Sequence, residues 1–364
     1  MCDVSELTAV EAVLKRASVR IYDVIQGHIG WTGDGIDEFC AEKSSTTDKR
    51  KVNNSGDAVL AMDELADNII EEELRSCSLV AGFASEERED FVQTNVNGKY
   101  VVVYDPLDGS QNIPVGLSVG AIYGVFQASS MEEIKNGDRI VAAGYALFSS
   151  ALQFAFSTKQ TPVEMSQYDF GGKDWVVYIR DHKRPKKGKT YAINEGSCAN
   201  WDNTISVFVA QHLRGRSVRW MCCMVADVSR QLLQGGCFMY PCDKKYPNGR
   251  LRLVYEAIPL AFLWERAGNG FALASVDGTR VLDMDIGGDI HKRCGIIFLG
   301  EEEANAFNRV KAHAPEWACS NPKEKLVVAR TKKDEAIDKE TNLLRMALIA
   351  GAVFNVILLL RYRN

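Results

Sequence analysis

The amino-acid sequence predicts an α/β fold of two domains with layered packing. At 364 residues the chain is long enough for two domains, each with its own hydrophobic core. Apolar runs typical of strands alternate with stretches of helical periodicity in both halves. The basic segment 182–189 contains Pro185 and Gly188 and is typical of a solvated turn between strands. We therefore place the domain boundary there and expect domains at residues 1–184 and 185–318.

The composition is that of a soluble intracellular protein. Hydrophobic residues make up 46% of the chain and charged residues 25%, as in ordinary globular proteins. The net charge of −5 predicts no nucleic-acid partner. The ten cysteines lack the paired spacing of zinc sites, and the N-terminus lacks a secretory signal. We therefore expect reduced thiols in an intracellular compartment.

Two helices separated by a polar loop are predicted at the start of the chain. Apolar residues recur at helical spacing from Leu7 to Ile25, which predicts a helix over residues 5–29. Residues 30–57 are rich in Gly, Ser, Thr, Asp and Lys, so we expect a mobile loop there. A second amphipathic helix follows, and Asp57 is well placed as its N-cap.

The next feature is a strand that ends in two carboxylates. The β-branched and aromatic run 100–104 predicts a buried strand, and Asp105 and Asp108 follow it directly. Pro106 and Gly109 are expected to end the strand at a defined place. Fixed carboxylates suit a hard divalent cation such as Mg²⁺. The same residues are also ordinary turn formers, which is the alternative interpretation.

Acids follow two further predicted strands. The apolar run 79–84 precedes Glu86 and Glu87, and the alternating run 250–255 precedes Glu256. Neighbouring strands that both end in acids bring several carboxylates into one pocket. Their mutual repulsion is costly unless a cation is present. The pattern therefore strengthens the prediction of a metal site.

The remaining predicted strands and helices alternate through the rest of the chain. Strands are predicted at 117–127, in 139–156, at 175–179, 190–193 and 237–240, with a strand or turn at 218–222; helices are predicted at about 204–212 and 226–233 and after Glu256.

The C-terminal segment differs from the rest of the chain. Residues 319–341 form a polar linker, and 342–364 contain the run Met346–Leu360, which is apolar on every face. We predict a membrane anchor at this end, because a terminal apolar helix after a polar linker has no obvious domain to bury it. A buried core helix is the alternative.

Ordered motifs run through most of the chain, from about Ser5 to Gly300. They are Gly56-Asp57, Ser85-Glu86-Glu87, Asp105-Pro106-Leu107-Asp108-Gly109-Ser110, Asn194-Glu195-Gly196, Arg219, Met224-Val225-Ala226-Asp227-Val228, Tyr240-Pro241, Pro247-Asn248-Gly249-Arg250-Leu251-Arg252-Leu253 and Glu256. Together they resemble the fructose-1,6-bisphosphatase and sedoheptulose-1,7-bisphosphatase family. The resemblance implies a layered α-β-α-β-α sugar-phosphatase fold of two domains, each a mixed sheet flanked by helices.

The resemblance also implies an active site. It implies about two or three Mg²⁺ ions, for which Mn²⁺ can substitute. Their ligands would be Glu86, Glu87, Asp105, the carbonyl of Leu107, Asp108 and Glu256. The catalytic residues would be Asp57, Asp63 and Glu87. The substrate contacts would be Asp108, Gly109, Ser110, Gln111, Asn194, Arg219, Trp220, Tyr240 and Arg250, with Arg219 supplied by a neighbouring subunit of a homodimer or homotetramer.

Three departures from the family pattern bear on the substrate. Ser197, Trp220 and Arg250 stand where fructose bisphosphatases usually have Tyr, Tyr and Lys. The loss of a phenol enlarges the distal pocket, so we expect hydrolysis of the C1 phosphate of sedoheptulose 1,7-bisphosphate, with fructose 1,6-bisphosphate as the alternative. Less favoured alternatives are an enzyme similar to inositol monophosphatase and an inactive, membrane-attached binding protein. We expect the catalytic domain to lie in the cytosol, with the tail anchored to an organelle membrane.

Overall fold

The computed structural model describes residues 3–28 and 61–313. The predicted mobile loop with Asp57, the polar linker 319–341 and the apolar tail 342–364 lie outside the described residues. Both predicted N-terminal helices are confirmed where they are described. The α-helices are α1 (Val4–His28), α2 (Ala61–Arg75), α3 (Asn203–Phe208), α4 (Met224–Gln234), α5 (Ile258–Arg266) and α6 (Glu301–His313).

An eight-stranded sheet is built from the first half of the chain, in the order β2-β1-β3-β4-β5-β6-β7-β8. Strands β1 and β3 are parallel, and the other neighbours are antiparallel. The parallel pair brings the carboxyl ends of β1 and β3 to the same edge. The strands are β1 (Val80–Ser85), β2 (Val92–Gln93), β3 (Tyr100–Asp108), β4 (Val119–Gln127), β5 (Ile140–Phe148), β6 (Leu152–Thr158), β7 (Glu164–Asp169) and β8 (Asp174–Ile179).

A five-stranded mixed sheet is built from the second half, in the order β10-β9-β11-β15-β13. Strand β9 pairs in parallel with β10 and β11, whereas β15 is antiparallel to β11 and β13. A short antiparallel pair, β12 and β14, accompanies it. The strands are β9 (Thr190–Ala192), β10 (Ser217–Val218), β11 (Cys237–Tyr240), β12 (Leu251–Arg252), β13 (Gly270–Ala274), β14 (Arg293–Cys294) and β15 (Ile296–Gly300).

Two hydrophobic cores lie on opposite faces of the eight-stranded sheet. Tyr100, Val102 and Tyr104 of β3 pack with apolar residues of α1 and α2 in one core. Val101 and Val103 face the other core, which contains α4, α5 and residues of the five-stranded sheet. Because successive residues of a strand point to opposite faces, one buried strand serves both cores. This arrangement confirms the predicted two-domain α/β fold with mixed sheets flanked by helices.

Contacts divide the chain into two compact units. Of the described residues, the larger unit contains 3–28, 61–201 and 215–309, and the smaller unit contains 202–214 and 310–313. In the smaller unit, Asp202 caps α3 by accepting a hydrogen bond from the Ile205 N–H at 2.8 Å. Both sheets belong to the larger unit. All functional residues described below lie there as well.

The structure corrects two predicted strand ends. Strand β3 does not stop before its acids but continues through them with a bulge, in which Asp105 pairs with Ile122 and Asp108 with Gly120. A bulge accommodates Pro106, which has no N–H to donate to the ladder. Glu256 does not end a strand, because β12 stops at Arg252.

A single wide helical turn, Leu253–Ala257, carries Glu256 into α5. In this turn the N–H of Ile258 donates to the carbonyl of Leu253, five residues earlier. The next residue, Pro259, has no N–H for the ordinary helical bond to Tyr255, which is consistent with the wider turn.

Strand β7 was not predicted, because its sequence EMSQYD carries no run of apolar residues.

Within residues 3–28 and 61–313, none of the helices has the length and apolar character needed to cross a membrane.

Candidate active site

Three buried carboxylates converge at the edge where β3 ends. Asp105, Asp108 and Glu256 each offer one oxygen, and these oxygens lie within 4.8 Å of one another. Asp105 and Asp108 come from the two sides of the β3 bulge, and Glu256 comes from the wide turn before α5. Residues separated by about 150 positions in the sequence therefore meet at one point.

Asp105 is one of two acids in this cluster, with Glu256, whose pKa is raised well above the ordinary value. Burial raises its pKa well above the ordinary value, and the charges of Glu86, Asp108 and Glu256 raise it further. The N–H of Leu107 donates to Asp105 Oδ1 at 2.9 Å and favours the ionised form. One hydrogen bond is a small compensation for a buried carboxylate with three acidic neighbours.

Asp108 is fixed by the start of α4. The Val225 N–H donates to Asp108 Oδ2 at 2.6 Å, and the Cys223 thiol donates to the same oxygen at 3.1 Å. Burial raises the pKa of Asp108, while these bonds oppose the rise. The close approach of α4 requires Gly120 on β4, because a Cβ there would lie 2.5 Å from Val225 Cβ.

Glu256, the third acid of the cluster, lies on the wide turn before α5. It accepts a hydrogen bond from the Arg252 N–H. Burial raises the pKa of Glu256 well above the ordinary value, and the negative charge of Glu86 raises it further. The Arg252 guanidinium is fully buried, and its Nε lies 3.5 Å from Glu86 Oε1. Arg252 thus supplies positive charge beside the acids.

The remaining predicted ligands and catalytic residues lie on neighbouring elements. Glu86 and Glu87 form the turn after β1, where the Glu86 N–H donates to the Tyr104 carbonyl at 3.1 Å. The Glu87 N–H donates to Ser85 Oγ at 3.2 Å. Asp63 is buried in the first turn of α2. Asp57 lies outside the described residues.

The turn after Asp108 leads into a short 3₁₀ helix, Ser110–Val115. Gly109 precedes it with φ of 78°, a conformation that favours glycine. A Cβ at this position would also lie 2.8 Å from Cys223 Cβ. Ser110 is half-buried and Gln111 is exposed. The predicted phosphate-binding residues therefore follow the acidic cluster directly.

Three predicted residues of the distal pocket are brought together. The rings of Trp220 and Tyr240 meet edge to face with centroids 5.3 Å apart. The Arg250 guanidinium lies 5.8 Å from the Tyr240 ring and 4.5 Å from the Tyr246 ring. Burial raises the pKa of the Tyr240 phenol, while Arg250 lowers it. Contacts with two aromatic rings therefore help to hold the Arg250 cation in place.

Other predicted contacts have local bonding. Asn194 Oδ1 accepts the Gly196 N–H at 3.1 Å, and the Ser197 N–H donates to the Asn194 carbonyl at 3.0 Å. Arg219 is exposed, and its Nη1 donates to the Val218 carbonyl at 2.8 Å. Asn194 and Arg219 therefore have local backbone partners at the ends of strands β9 and β10.

Sequence reasoning missed the roles of Cys223, Arg252 and Tyr246. Arg252 stands in an alternating Leu-Arg-Leu strand, where an arginine on a buried face was a usable signal. Nothing in the local sequence distinguished Cys223, which bonds a carboxylate 115 residues earlier in the chain. The Tyr246 contact depends on the fold of the loop before Arg250.

The chemistry of the donor set fits a divalent cation. Three buried carboxylate oxygens lie within 4.8 Å of one another, and burial together with the neighbouring acidic charges raises the pKa of Asp105 and of Glu256. Hard cations such as Mg²⁺ and Mn²⁺ prefer oxygen ligands of this kind. A bound cation would relieve the repulsion that the folded chain otherwise has to tolerate.

Comparisons with known proteins support the family resemblance and the fold. Family models described as "Fructose-1-6-bisphosphatase, N-terminal domain" and "Fructose-1-6-bisphosphatase, C-terminal domain" match residues 46–177 and 184–312. The chain is 38% identical over 262 residues to the cytosolic fructose-1,6-bisphosphatase of Brassica napus, covering 68% of this chain and 76% of the relative. It is 38% identical over 264 residues to the cytosolic enzyme of Arabidopsis thaliana, covering 69% of this chain and 76% of the relative.

A solved structure is similar over most of the chain. The crystal structure of Leishmania major fructose-1,6-bisphosphatase in holo form superposes with a TM-score of 0.73 at 26% identity, covering 85% of this chain and 95% of that chain. Fold, sequence identity and both family models agree. The chain therefore belongs to the fructose-1,6-bisphosphatase family and is a phosphoric monoester hydrolase.

Proposed function

We propose that this chain is a Mg²⁺-dependent sugar-bisphosphate 1-phosphatase that hydrolyses the C1 phosphate of a ketose bisphosphate. The observation that carries the proposal is the convergence of Asp105, Asp108 and Glu256 within 4.8 Å in a buried pocket. Such a cluster is unfavourable in a folded chain unless a cation offsets its charge. Phosphate-ester hydrolysis is a reaction that uses this kind of site.

In this proposal the cation ligands are the three clustered acids, the carboxylates of Glu86 and Glu87, and the carbonyl of Leu107. The chemistry that divalent cations supply in such a site is activation of water and neutralisation of charge on the phosphoryl group. Glu86 contributes because its charge already acts on Asp105 and Glu256. The Leu107 carbonyl lies within the bulge between the two strand acids.

In this proposal, acids other than the three clustered carboxylates activate the attacking water. Asp63 and Glu87 orient the attacking water and take its proton, and Asp57 completes the site. Asp63 is buried on the first turn of α2, and Glu87 is half-buried on the turn after β1. Two carboxylates held on separate rigid elements can fix a water molecule in one orientation.

The two phosphates of the substrate are bound at different places in this proposal. Gly109, Ser110 and Gln111 contact the reacting 1-phosphate next to the acids. At the other end, Arg250 binds the distal phosphate, supported by its ring contacts with Tyr240 and Tyr246. Trp220, Asn194 and Arg219 complete the sugar pocket. Binding energy at the distal end places the reacting end.

Fructose 1,6-bisphosphate is the substrate that the relatives favour. The plant and Leishmania proteins are named fructose-1,6-bisphosphatases. This support goes to our alternative more than to the seven-carbon substrate that we predicted from the distal pocket. Sedoheptulose 1,7-bisphosphate remains the second candidate, because Ser197 and Trp220 replace two phenols of the family pattern.

Steady-state kinetics with Mg²⁺ test this proposal. Phosphate release from the two ketose bisphosphates is compared at equal enzyme concentration, with inositol 1-phosphate as a third substrate. We expect kcat/KM to be highest for fructose 1,6-bisphosphate. A higher value for the seven-carbon substrate would reverse the choice between them. If the enzyme hydrolyses inositol 1-phosphate but neither of the two ketose bisphosphates, the assignment is refuted.

We also propose that the catalytic part acts in the cytosol as a homo-oligomer. In this proposal residues 1–184 supply all the metal ligands except Glu256, and residues 185–318 supply Glu256 and the sugar site. The relatives from Brassica napus and Arabidopsis thaliana are named as cytosolic. Anchoring by the tail 342–364 stays a prediction from the sequence. Cell fractionation of the full chain and of a chain ending at residue 341 tests it. Recovery of both in the soluble fraction would contradict the anchor.

A further inference from the structure

Arg88, on the turn after β1, is bonded to three residues of α2. Its Nε donates to Asp67 Oδ2 at 2.6 Å, and its Nη2 lies 2.6 Å from Glu71 Oε2. The same Nη2 donates to Asn68 Oδ1 at 3.2 Å. The guanidinium therefore joins the turn to successive positions along one face of the helix. The planar guanidinium of arginine can make several such contacts at once, because its N–H donors are held in a fixed geometry.

The Asp67 carboxylate joins a third element to this pair. Asp67 is 3% exposed, and its Oδ1 accepts a hydrogen bond from the Tyr104 hydroxyl on β3 at 2.9 Å. Burial raises the pKa of Tyr104 well above its ordinary value, so the phenol stays a donor. One buried carboxylate thus bonds the turn after β1 through one oxygen and β3 through the other.

The three joined elements are those that carry proposed active-site acids. The turn after β1 carries Glu86 and Glu87, immediately before Arg88. Helix α2 carries Asp63, one helical turn before Asp67, and β3 continues from Tyr104 into Asp105. A shift of the turn relative to the helix would therefore move these acids relative to one another.

We propose that Arg88 is a positioning residue, which together with Asp67 and Tyr104 fixes the Glu86-Glu87 turn against α2 and β3. The inference rests on the proposed function for its effect on catalysis. A fully exposed ion pair would not fix the turn in this way, because exposed ion pairs contribute little to the stability of a fold. Asp67 is buried, so removing Arg88 leaves a carboxylate without its closest cation.

The test compares R88M and R88K with the matched control R75M. Arg75 also pairs with Glu71 at 2.6 Å, but from the last turn of α2. We expect R88M to weaken Mn²⁺ binding, measured by calorimetry, by about tenfold and to lower kcat by a similar factor, as for other residues that orient metal ligands. R88K should recover part of both losses, and R75M should match the wild type.

Two outcomes overturn the proposal. If R88M lowers the melting temperature but leaves Mn²⁺ affinity and kcat at wild-type values, Arg88 has a structural role alone. The second readout is hydrogen exchange in EDTA at the Glu86 and Glu87 amides, which R88M should accelerate. Unchanged exchange there refutes the positioning role whatever the substrate is.

Y104F provides a milder variant if R88M does not fold. It removes the hydroxyl that bonds Asp67 and keeps the ring, and we expect a smaller change in the same direction. Y104F with wild-type exchange and Mn²⁺ affinity counts against the proposal. Wild-type protein that neither binds Mn²⁺ nor releases phosphate refutes the proposed function instead, while the exchange result still decides the role of Arg88.

Discussion

Replacing Asp105 by asparagine should stabilise the metal-free protein. The ligand oxygens of the cluster lie within 4.8 Å of one another. Two unit charges at such a distance repel by about 3 kcal/mol at an effective dielectric constant of ~20. Because burial and the neighbouring charges raise the pKa of Asp105, we expect D105N to relieve less than this full repulsion, about 1–2 kcal/mol. The amide oxygen of the variant can still accept the Leu107 N–H.

Thermal unfolding of the full chain in EDTA and in Mg²⁺ measures this effect. In EDTA at neutral pH, D105N should melt about 2–4 °C above the wild type for each kcal/mol relieved. With Mg²⁺ at ~100 times its Kd the wild type should gain about 2.7 kcal/mol, and D105N should gain little. The control D138N changes an exposed carboxylate and should leave both values unchanged.

The pH dependence gives the sign of the effect. A carboxyl whose folded pKa is raised destabilises the folded state once the pH exceeds its ordinary value of about 4, because the unfolded chain ionises first. The advantage of D105N in EDTA should therefore shrink as the pH falls towards about 4. A D105N protein less stable than the wild type in EDTA would refute the reasoning, since Asp105 would then be an ordinary hydrogen-bonded aspartate.

The other predictions concern the proton acceptor, the distal pocket and a buried acid near the cluster. E87Q should lower kcat by about 10²-fold or more with KM within a few-fold, measured by steady-state phosphate release; wild-type turnover would contradict its role. S197Y should raise the kcat/KM ratio of the six-carbon over the seven-carbon substrate, and an unchanged ratio would refute our interpretation of the pocket. Burial raises the pKa of Asp227 to about 7, so its contribution to stability falls as the pH rises from about 4 to 7. D227N should show a shallower fall in melting temperature over that range in EDTA; an equally steep fall would be evidence against a raised pKa.

Local patterns predicted the elements around the site. The run 100–104 and the acids after it are adjacent in the sequence, so the strand and its carboxylates could be identified together. The parallel pairing of β1 with β3 then confirmed that two acid-bearing strands are neighbours. Alternating periodicity predicted most strands and helices of both halves, because buried faces impose it on the chain.

Tertiary contacts decided the details that the sequence could not predict. The bulge in β3 depends on pairing with Ile122 and Gly120, and the wide turn of Glu256 depends on how the chain enters α5. Apart from the nearby prolines, nothing in a single sequence indicates either the bulge or the wide turn. The Asp67–Arg88 ion pair joins residues 21 positions apart on a helix and a turn, so spacing alone could not reveal it.

The Mg²⁺ dependence of phosphate release from fructose 1,6-bisphosphate tests the central claim most directly. The full chain is stripped of metal, and Mg²⁺ is titrated while phosphate release and melting temperature are recorded for the wild type and E256Q. We predict no release without metal, saturable recovery in the wild type, and a higher half-saturating concentration for E256Q in both measurements. Release at the full rate in EDTA would contradict the account.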